Sequence, residues 1–98
     1  MSLPVTIRRA AREEFDEAFD WYESRRAGLG VEFAVQVKAV FDRISKMPEL
    51  HPCVLNDVRK ASVLQFPYSV YYRVREKRVF VLAVFHDKRN PKIWKSRK

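Results

Sequence analysis

The chain has 98 residues, of which 47% are apolar, and it contains only two glycines and five prolines. This length predicts one folded domain over residues 1–98, and the composition excludes collagen-like, low-complexity and disordered chains. No segment approaches the roughly 20 apolar residues that a membrane-spanning helix needs, and no signal peptide is expected. Because Cys53 is the only cysteine, an internal disulfide is excluded and a cytoplasmic location is expected.

The charge is distributed unevenly along the chain. Twenty Lys and Arg residues against twelve Asp and Glu residues give a formal net charge of +8. Residues 1–54 have a net charge of −1, whereas residues 55–98 have +9. A strongly cationic half predicts a partner with negative charge, either a nucleic acid or an acidic protein surface. A basic domain without such a partner is the alternative that charge alone leaves open.

The first half of the chain is predicted to form a short strand and two helices. Apolar residues alternate over 3–7, which is typical of a strand. Residues 10–26 and 31–47 place apolar side chains three and four positions apart, the spacing of an amphipathic helix. The apolar stripes are Ala11, Phe15, Ala18 and Tyr22 in the first helix, and Phe33, Val37, Val40, Ile44 and Met47 in the second. Acidic residues from Glu13 to Glu17 are interpreted as a solvated helix face that suits the helix dipole, not as a metal site.

Two glycines, Gly28 and Gly30, separate the predicted helices. Glycine accepts the left-handed backbone conformation in which many helices end. A phosphate-binding loop would need a strand before the glycines, and a helix precedes them here. The glycines therefore predict the turn of an antiparallel helical hairpin.

The second half of the chain is predicted to form strands. Residues 48–57 contain two prolines and are predicted to be a loop. Strands are predicted over 58–66, 68–75 and 78–85, with a tight hairpin between the last two. The order β-α-α-β-β-β predicts an α+β fold in which an antiparallel sheet packs against the helical hairpin.

A basic tail follows the last predicted strand. Asn90 and Pro91 predict the start of a short final helix, and Ile93 and Trp94 supply it with an apolar anchor. The tail is expected to expose many cations.

Four segments of the chain resemble the RelE/ParE superfamily of toxins from bacterial type II toxin–antitoxin systems. They are Trp21-Tyr22-Glu23 with Ala11, Gly28-Leu29-Gly30 with Phe33, FPYSVYYRV at 66–74, and VLAVFHDKR at 81–89. The last two are the specific ones. The resemblance implies a microbial-RNase-like fold and a cognate acidic antitoxin, with a homodimer or a toxin–antitoxin hetero-oligomer as possible assemblies. No cofactor, no metal ion and no membrane partner are expected.

The superfamily contains two activities. RelE-like members cleave mRNA on the ribosome, whereas ParE-like members inhibit DNA gyrase by binding it. The chain is more similar to the ParE-like branch, because it has the Trp21-Tyr22 pair and has no tyrosine after Tyr72. We therefore expect a ParE-like gyrase inhibitor involved in plasmid stabilisation. The alternative is a RelE-like, metal-independent mRNA endonuclease.

Candidate site residues follow from these two hypotheses. In the nuclease alternative His86 would act as acid or base, because histidine takes up and releases a proton near neutral pH. Cationic side chains would stabilise the charge on the phosphate. The candidate catalytic residues are His86, Arg89, Arg73 and Arg59. The candidate residues for binding a target or nucleic acid are Arg59, Lys60, Arg73, Arg75, Arg89, Lys92, Trp94 and Lys95.

Overall fold

The structure is a computed structural model that describes residues 2–97. Within this range the chain forms five strands and three helices. Their bounds are β1 Val5–Ile7, α1 Arg9–Arg25, α2 Leu29–Lys46, β2 Cys53–Leu55, β3 Val58–Ser62, β4 Tyr68–Arg75, β5 Arg78–His86 and α3 Lys92–Lys95. The described helices include none that is long and apolar enough to cross a membrane.

The five strands form one sheet in the order β1-β5-β4-β3-β2. Strands β3, β4 and β5 are antiparallel, as predicted, and β2 also pairs antiparallel with β3. Strand β1 lies parallel to β5, which makes the sheet mixed and differs from the predicted antiparallel sheet. The β4–β5 hairpin turns at Glu76 and Lys77, whose φ angles of 53° and 58° are those of a tight two-residue turn. The α+β architecture with two long helices is confirmed.

Two predicted boundaries in the second half are wrong. The predicted loop over 48–57 contains β2, which pairs with β3 at the edge of the sheet. The strand predicted over 58–66 ends at Ser62, because the chain turns back to β4 within a few residues. Gln65 has a φ of 70°, and the N–H of Val63 donates to the carbonyl of Tyr68 across this turn at 2.9 Å.

The predicted helical hairpin forms at the two glycines. Gly28 precedes α2 with a φ of 90°, a conformation that favours glycine. Gly30 lies inside α2, where a Cβ atom would stand 2.7 Å from the backbone oxygen of Phe19. The absence of a side chain at Gly30 therefore allows α1 and α2 to approach closely. Met47, predicted on the buried stripe, is 51% exposed, because α2 ends at Lys46 and the chain leaves helical geometry there.

The sheet separates two apolar clusters. The larger cluster lies between the sheet and the helical hairpin, and α1 contributes Ala11, Ala18 and Tyr22 to it. A bulge in β5 opposite Tyr71 and Tyr72 shifts the register, so that Leu82 and Ala83 both belong to the cluster on the other face. Trp94 of α3 completes this second cluster. The two faces of β5 are thus covered by different elements.

Candidate functional site

His86 lies at the end of β5, in an open groove between the sheet and α1. Its Nδ1 accepts a hydrogen bond from the backbone N–H of Lys88 at 3.0 Å. Its ring packs edge-on against Tyr68, with the centroids 5.1 Å apart. Because Nδ1 uses its lone pair as an acceptor, the neutral ring carries its proton on Nε2. In this arrangement the neutral side chain offers a partner a hydrogen-bond donor and no free base.

The groove beside His86 has a volume of about 530 Å³ and a mainly apolar lining. Its walls are Glu17, Ala18, Trp21, Tyr22, Pro67, Tyr68 and His86. Trp21 is 53% exposed, so a large aromatic surface at the mouth of the groove is open to solvent. Burial raises the pKa of the Tyr68 phenol.

Arg89 lies in the turn after β5 and is paired with α1. Its Nη1 donates to Glu14 Oε2 at 2.8 Å, and its guanidinium lies over the Phe85 ring, 4.7 Å from the centroid. The Glu14 side chain is only 10% exposed. Arg89 is therefore paired with a mostly buried carboxylate within the protein.

Glu14 also accepts hydrogen bonds from Arg97, at the C-terminal end of the described residues. Arg97, which follows α3, donates Nη1 to Glu14 Oε1 at 2.8 Å and Nη2 to Glu14 Oε2 at 2.9 Å. The same Arg97 Nη1 donates to the Leu82 carbonyl at 3.1 Å, and the Val84 N–H donates to Glu14 at 3.2 Å. Strand β1 pairs with β5 only from Val79 to Val81. Beyond that point, Glu14 and Arg97 hydrogen-bond the Val84 N–H and the Leu82 carbonyl, which would otherwise lie on an open sheet edge.

Trp94 is a core residue in this structure. It is 3% exposed and stacks on Tyr71, with ring centroids 4.1 Å apart and planes inclined by 21°. The Lys92 and Lys95 side chains remain exposed on α3. The sequence predicts Trp94 as a target-binding residue, but in the structure its ring faces the sheet, whereas Lys92, Ile93 and Lys95 are exposed.

Arg59 lies on the helix-facing side of β3, and its guanidinium hydrogen-bonds the loop between α2 and β2. Its register partner is Tyr72, a member of the larger cluster. Arg59 Nη1 donates to the carbonyl oxygens of Glu49 and His51, at 3.2 and 2.6 Å. Arg43 Nε donates to His51 Nε2 at 3.3 Å. Burial, together with the positive charges of Arg43 and Arg59, lowers the pKa of His51.

Arg73, Arg75 and Lys60 lie on the opposite face of the sheet from the helical hairpin. Lys60 is the register partner of Tyr71, whose side chain belongs to the cluster on that face. Asp57 bridges the two arginines, with Arg73 Nη2 and Arg75 Nε each 3.2 Å from one of its oxygens. The Arg73 side chain is 13% exposed and that of Arg75 is 59% exposed.

The four candidate catalytic residues are not brought together. His86 and Arg89 lie at one end of the sheet. Arg73 is five residues along β4 from Tyr68, the register partner of His86, which corresponds to about 16 Å at ~3.3 Å per residue. Arg59 lies on the face opposite to Arg73. Of the other three candidate catalytic residues, only Arg89 lies at the same end of the sheet as His86, and it is paired with Glu14.

Glu14 is the residue that sequence reasoning missed. The acidic stretch of α1 was interpreted as solvated, yet the Glu14 carboxylate accepts hydrogen bonds from two arginines and one backbone amide. Its position carries a usable signal, because Glu14 lies three residues after Ala11 and four before Ala18, on the buried stripe. Over residues 2–97, no three His, Cys, Asp or Glu side chains gather as a metal site would require.

Comparison with known proteins gives a match to a family model and matches to solved structures. Residues 5–91 match a family model described as the ParE toxin of the type II toxin–antitoxin system, parDE. The fold is similar to a solved chain from the chromosomal ParDE TA system of P. aeruginosa, with a TM-score of 0.77 and 16% identity, covering 87% of this chain and 96% of that chain. At this identity the likeness concerns the fold. No curated protein matches the sequence at a significant level.

Proposed function

Because the chain belongs to the ParE toxin family of type II toxin–antitoxin systems, we propose that it inhibits DNA gyrase by binding it. A cognate antitoxin neutralises this activity. The observation that carries the proposal is that the two candidate catalytic residues at the end of β5 are already engaged in hydrogen bonds within the protein. His86 uses Nδ1 as an acceptor, and Arg89 is paired with Glu14 at 2.8 Å. An inhibitor that works by contact needs a shaped and charged surface, and it needs no free acid or base.

The apolar groove beside Trp21 supports an antitoxin as one partner. A helix or an extended segment with apolar side chains binds such a groove and removes its surface from water. The half-exposed Trp21 ring suits this role, because large aromatic side chains dominate the energetics of protein interfaces. The net charge of +8 favours an acidic partner and speeds its association.

The endoribonuclease alternative has less support. RNA cleavage requires an acid, a base and cations at one phosphate. The candidate residues for these roles lie in separate groups. Among residues 2–97, the tyrosine ring that packs against His86 is that of the partly buried Tyr68.

A supercoiling assay tests the proposal. Purified protein is added to DNA gyrase with relaxed plasmid, and the supercoiled product is measured. A basic protein can also coat DNA, so relaxation of the same plasmid by topoisomerase I, starting from its negatively supercoiled form, is the control. Loss of supercoiling with normal relaxation by topoisomerase I supports the proposal. Loss of both reactions would show that the protein acts on DNA, and an effect on neither would contradict gyrase inhibition.

A further inference from the structure

The face of the sheet away from the helical hairpin has a second cavity, which we call the arginine pocket. It has a volume of about 300 Å³ and is lined by Arg8, Arg73, Arg75, Glu76 and Phe80. The cluster completed by Trp94 covers the other part of this face. The arginine pocket lies on a part of this face that the cluster does not cover.

The pocket has an apolar platform and a concentrated positive charge. The Arg8 guanidinium lies over the Phe80 ring, 5.1 Å from its centroid. Three guanidinium groups line the cavity with one carboxylate, that of Glu76. The Nε of Arg73 is buried and has no hydrogen-bond partner among residues 2–97. A buried N–H without an acceptor is costly, so a carboxylate that draws the Arg73 guanidinium toward the cavity and accepts from this N–H would gain binding free energy.

We propose that the arginine pocket binds an acidic side chain of a protein partner. Guanidinium groups bind carboxylates through paired, charge-assisted hydrogen bonds. Asp57 already demonstrates this chemistry within the chain, because its two oxygens lie 3.2 Å from Arg73 Nη2 and from Arg75 Nε. A Glu or Asp of the partner would approach from the Arg8 side, with its methylene groups on Phe80.

The surroundings of the pocket favour a single carboxylate over a nucleic-acid strand. A phosphate backbone carries a charge at every nucleotide and needs a continuous path of cations. Here Glu76 lines the cavity and Asp57 lies beside its arginines, so a strand passing through would meet two negative charges. The inference rests on the proposed function only in taking the partner to be a protein.

A hexaglutamate peptide is the probe that tests the pocket. Binding to the full chain is followed by amide chemical shifts in NMR and by calorimetry, at about 150 mM salt to screen long-range charge. We expect saturable shifts at Arg73, Arg75 and Phe80. Arg8→Gln should weaken binding about tenfold, the value of one hydrogen bond to a charged group. Arg73→Gln should weaken it at least as much.

The matched control is Lys38→Gln, which removes the same charge from the exposed surface of α2. It should change the affinity by less than about twofold, because a distant charge is screened. Arg8 is exposed, so Arg8→Gln keeps the test decisive even if Arg73→Gln fails to fold. Equal weakening by Arg8→Gln and Lys38→Gln would overturn the inference, and so would shifts confined to other surfaces.

A hexathymidylate oligonucleotide forms the second arm of the experiment. Tighter binding of this probe than of hexaglutamate, with the same dependence on Arg8, would overturn the inference in favour of phosphate. The gyrase assay separates the two proposals. Inhibition of gyrase without peptide binding would contradict the arginine pocket and leave the proposed function intact. Peptide binding at the pocket without inhibition would support the pocket and contradict gyrase as the target.

Discussion

Glu14 of α1 and Arg97, which follows α3, are joined by two hydrogen bonds of 2.8 and 2.9 Å. They are 83 residues apart in sequence, and both side chains are mostly buried, with 10% and 19% exposure. The pair connects α1 to the C-terminal end of the described chain. Each partner also hydrogen-bonds the backbone of β5, Glu14 at the Val84 N–H and Arg97 at the Leu82 carbonyl. The basic C-terminal segment is therefore built into the fold through this pair and through Trp94.

Replacing Glu14 tests the structural role of the pair. Glu14→Gln removes the carboxylate that accepts hydrogen bonds from Arg89 and Arg97, and it leaves a mostly buried guanidinium unpaired. We expect the free energy of unfolding to fall by about 2–3 kcal/mol, measured by urea denaturation. The control is Asp16→Asn, whose pair with Arg12 is long, at 3.9 Å, and exposed. It should cost less than about 0.5 kcal/mol. Equal effects of the two variants would refute the buried-pair interpretation.

The two tryptophans offer a matched test of the second apolar cluster. Trp94 is 3% exposed and Trp21 is 53% exposed. Trp94→Ala should reduce the free energy of unfolding by about 3–5 kcal/mol, because it leaves a cavity over Tyr71. Trp21→Ala should cost less than about 1 kcal/mol. Thermal and urea unfolding measure both, and a small loss for Trp94→Ala would mean that α3 does not cover the sheet in solution.

Stability should depend on pH through His51. Its pKa is lowered in the folded protein, first by burial and then by Arg43 and Arg59. As the pH falls below about 6.5, the unfolded chain takes up a proton at this position before the folded protein does. Folding stability is therefore complete above that pH and declines as the pH falls through the interval between the two pKa values.

The variants at the two histidines check this dependence. His51→Gln should flatten the decline in unfolding free energy between about pH 7 and pH 5 relative to the wild type. His86→Gln keeps His51 and its contacts with Arg43 and Arg59, so its decline should resemble that of the wild type. A His51→Gln profile with an undiminished slope in this range would rule out His51 as the source.

Local patterns were sufficient for most of the fold. The three- and four-residue spacing of Ala11, Ala18 and Tyr22 identified the buried face of α1, since a helix buries one stripe of its surface. The near-continuous apolar run of β5 identified a strand covered on both faces. Strand β2 was missed because it has only three residues and depends on pairing with β3. Such pairing is a tertiary effect that a local pattern does not contain.

The candidate site was less predictable, because charge alone does not specify which side chains pair. The sequence marks Arg73 and Arg89 as cations, yet their partners are Asp57 and Glu14, which lie 16 and 75 positions away. Trp94 illustrates the same limit. An aromatic residue in a basic tail suits both a binding surface and a core anchor, and only the fold brings it onto Tyr71.

The central claim is that the protein acts on gyrase by contact and without acid–base chemistry. The most direct measurement compares wild-type protein with His86→Ala in the gyrase supercoiling assay, while mRNA integrity is followed in a translating extract. We predict that both proteins block supercoiling at concentrations within about twofold of each other, because replacing one groove residue outside an interface hot spot changes binding little. We also predict that both leave the mRNA intact. Site-specific mRNA cleavage by the wild type that disappears in His86→Ala, with supercoiling unaffected, would contradict the claim and establish the nuclease.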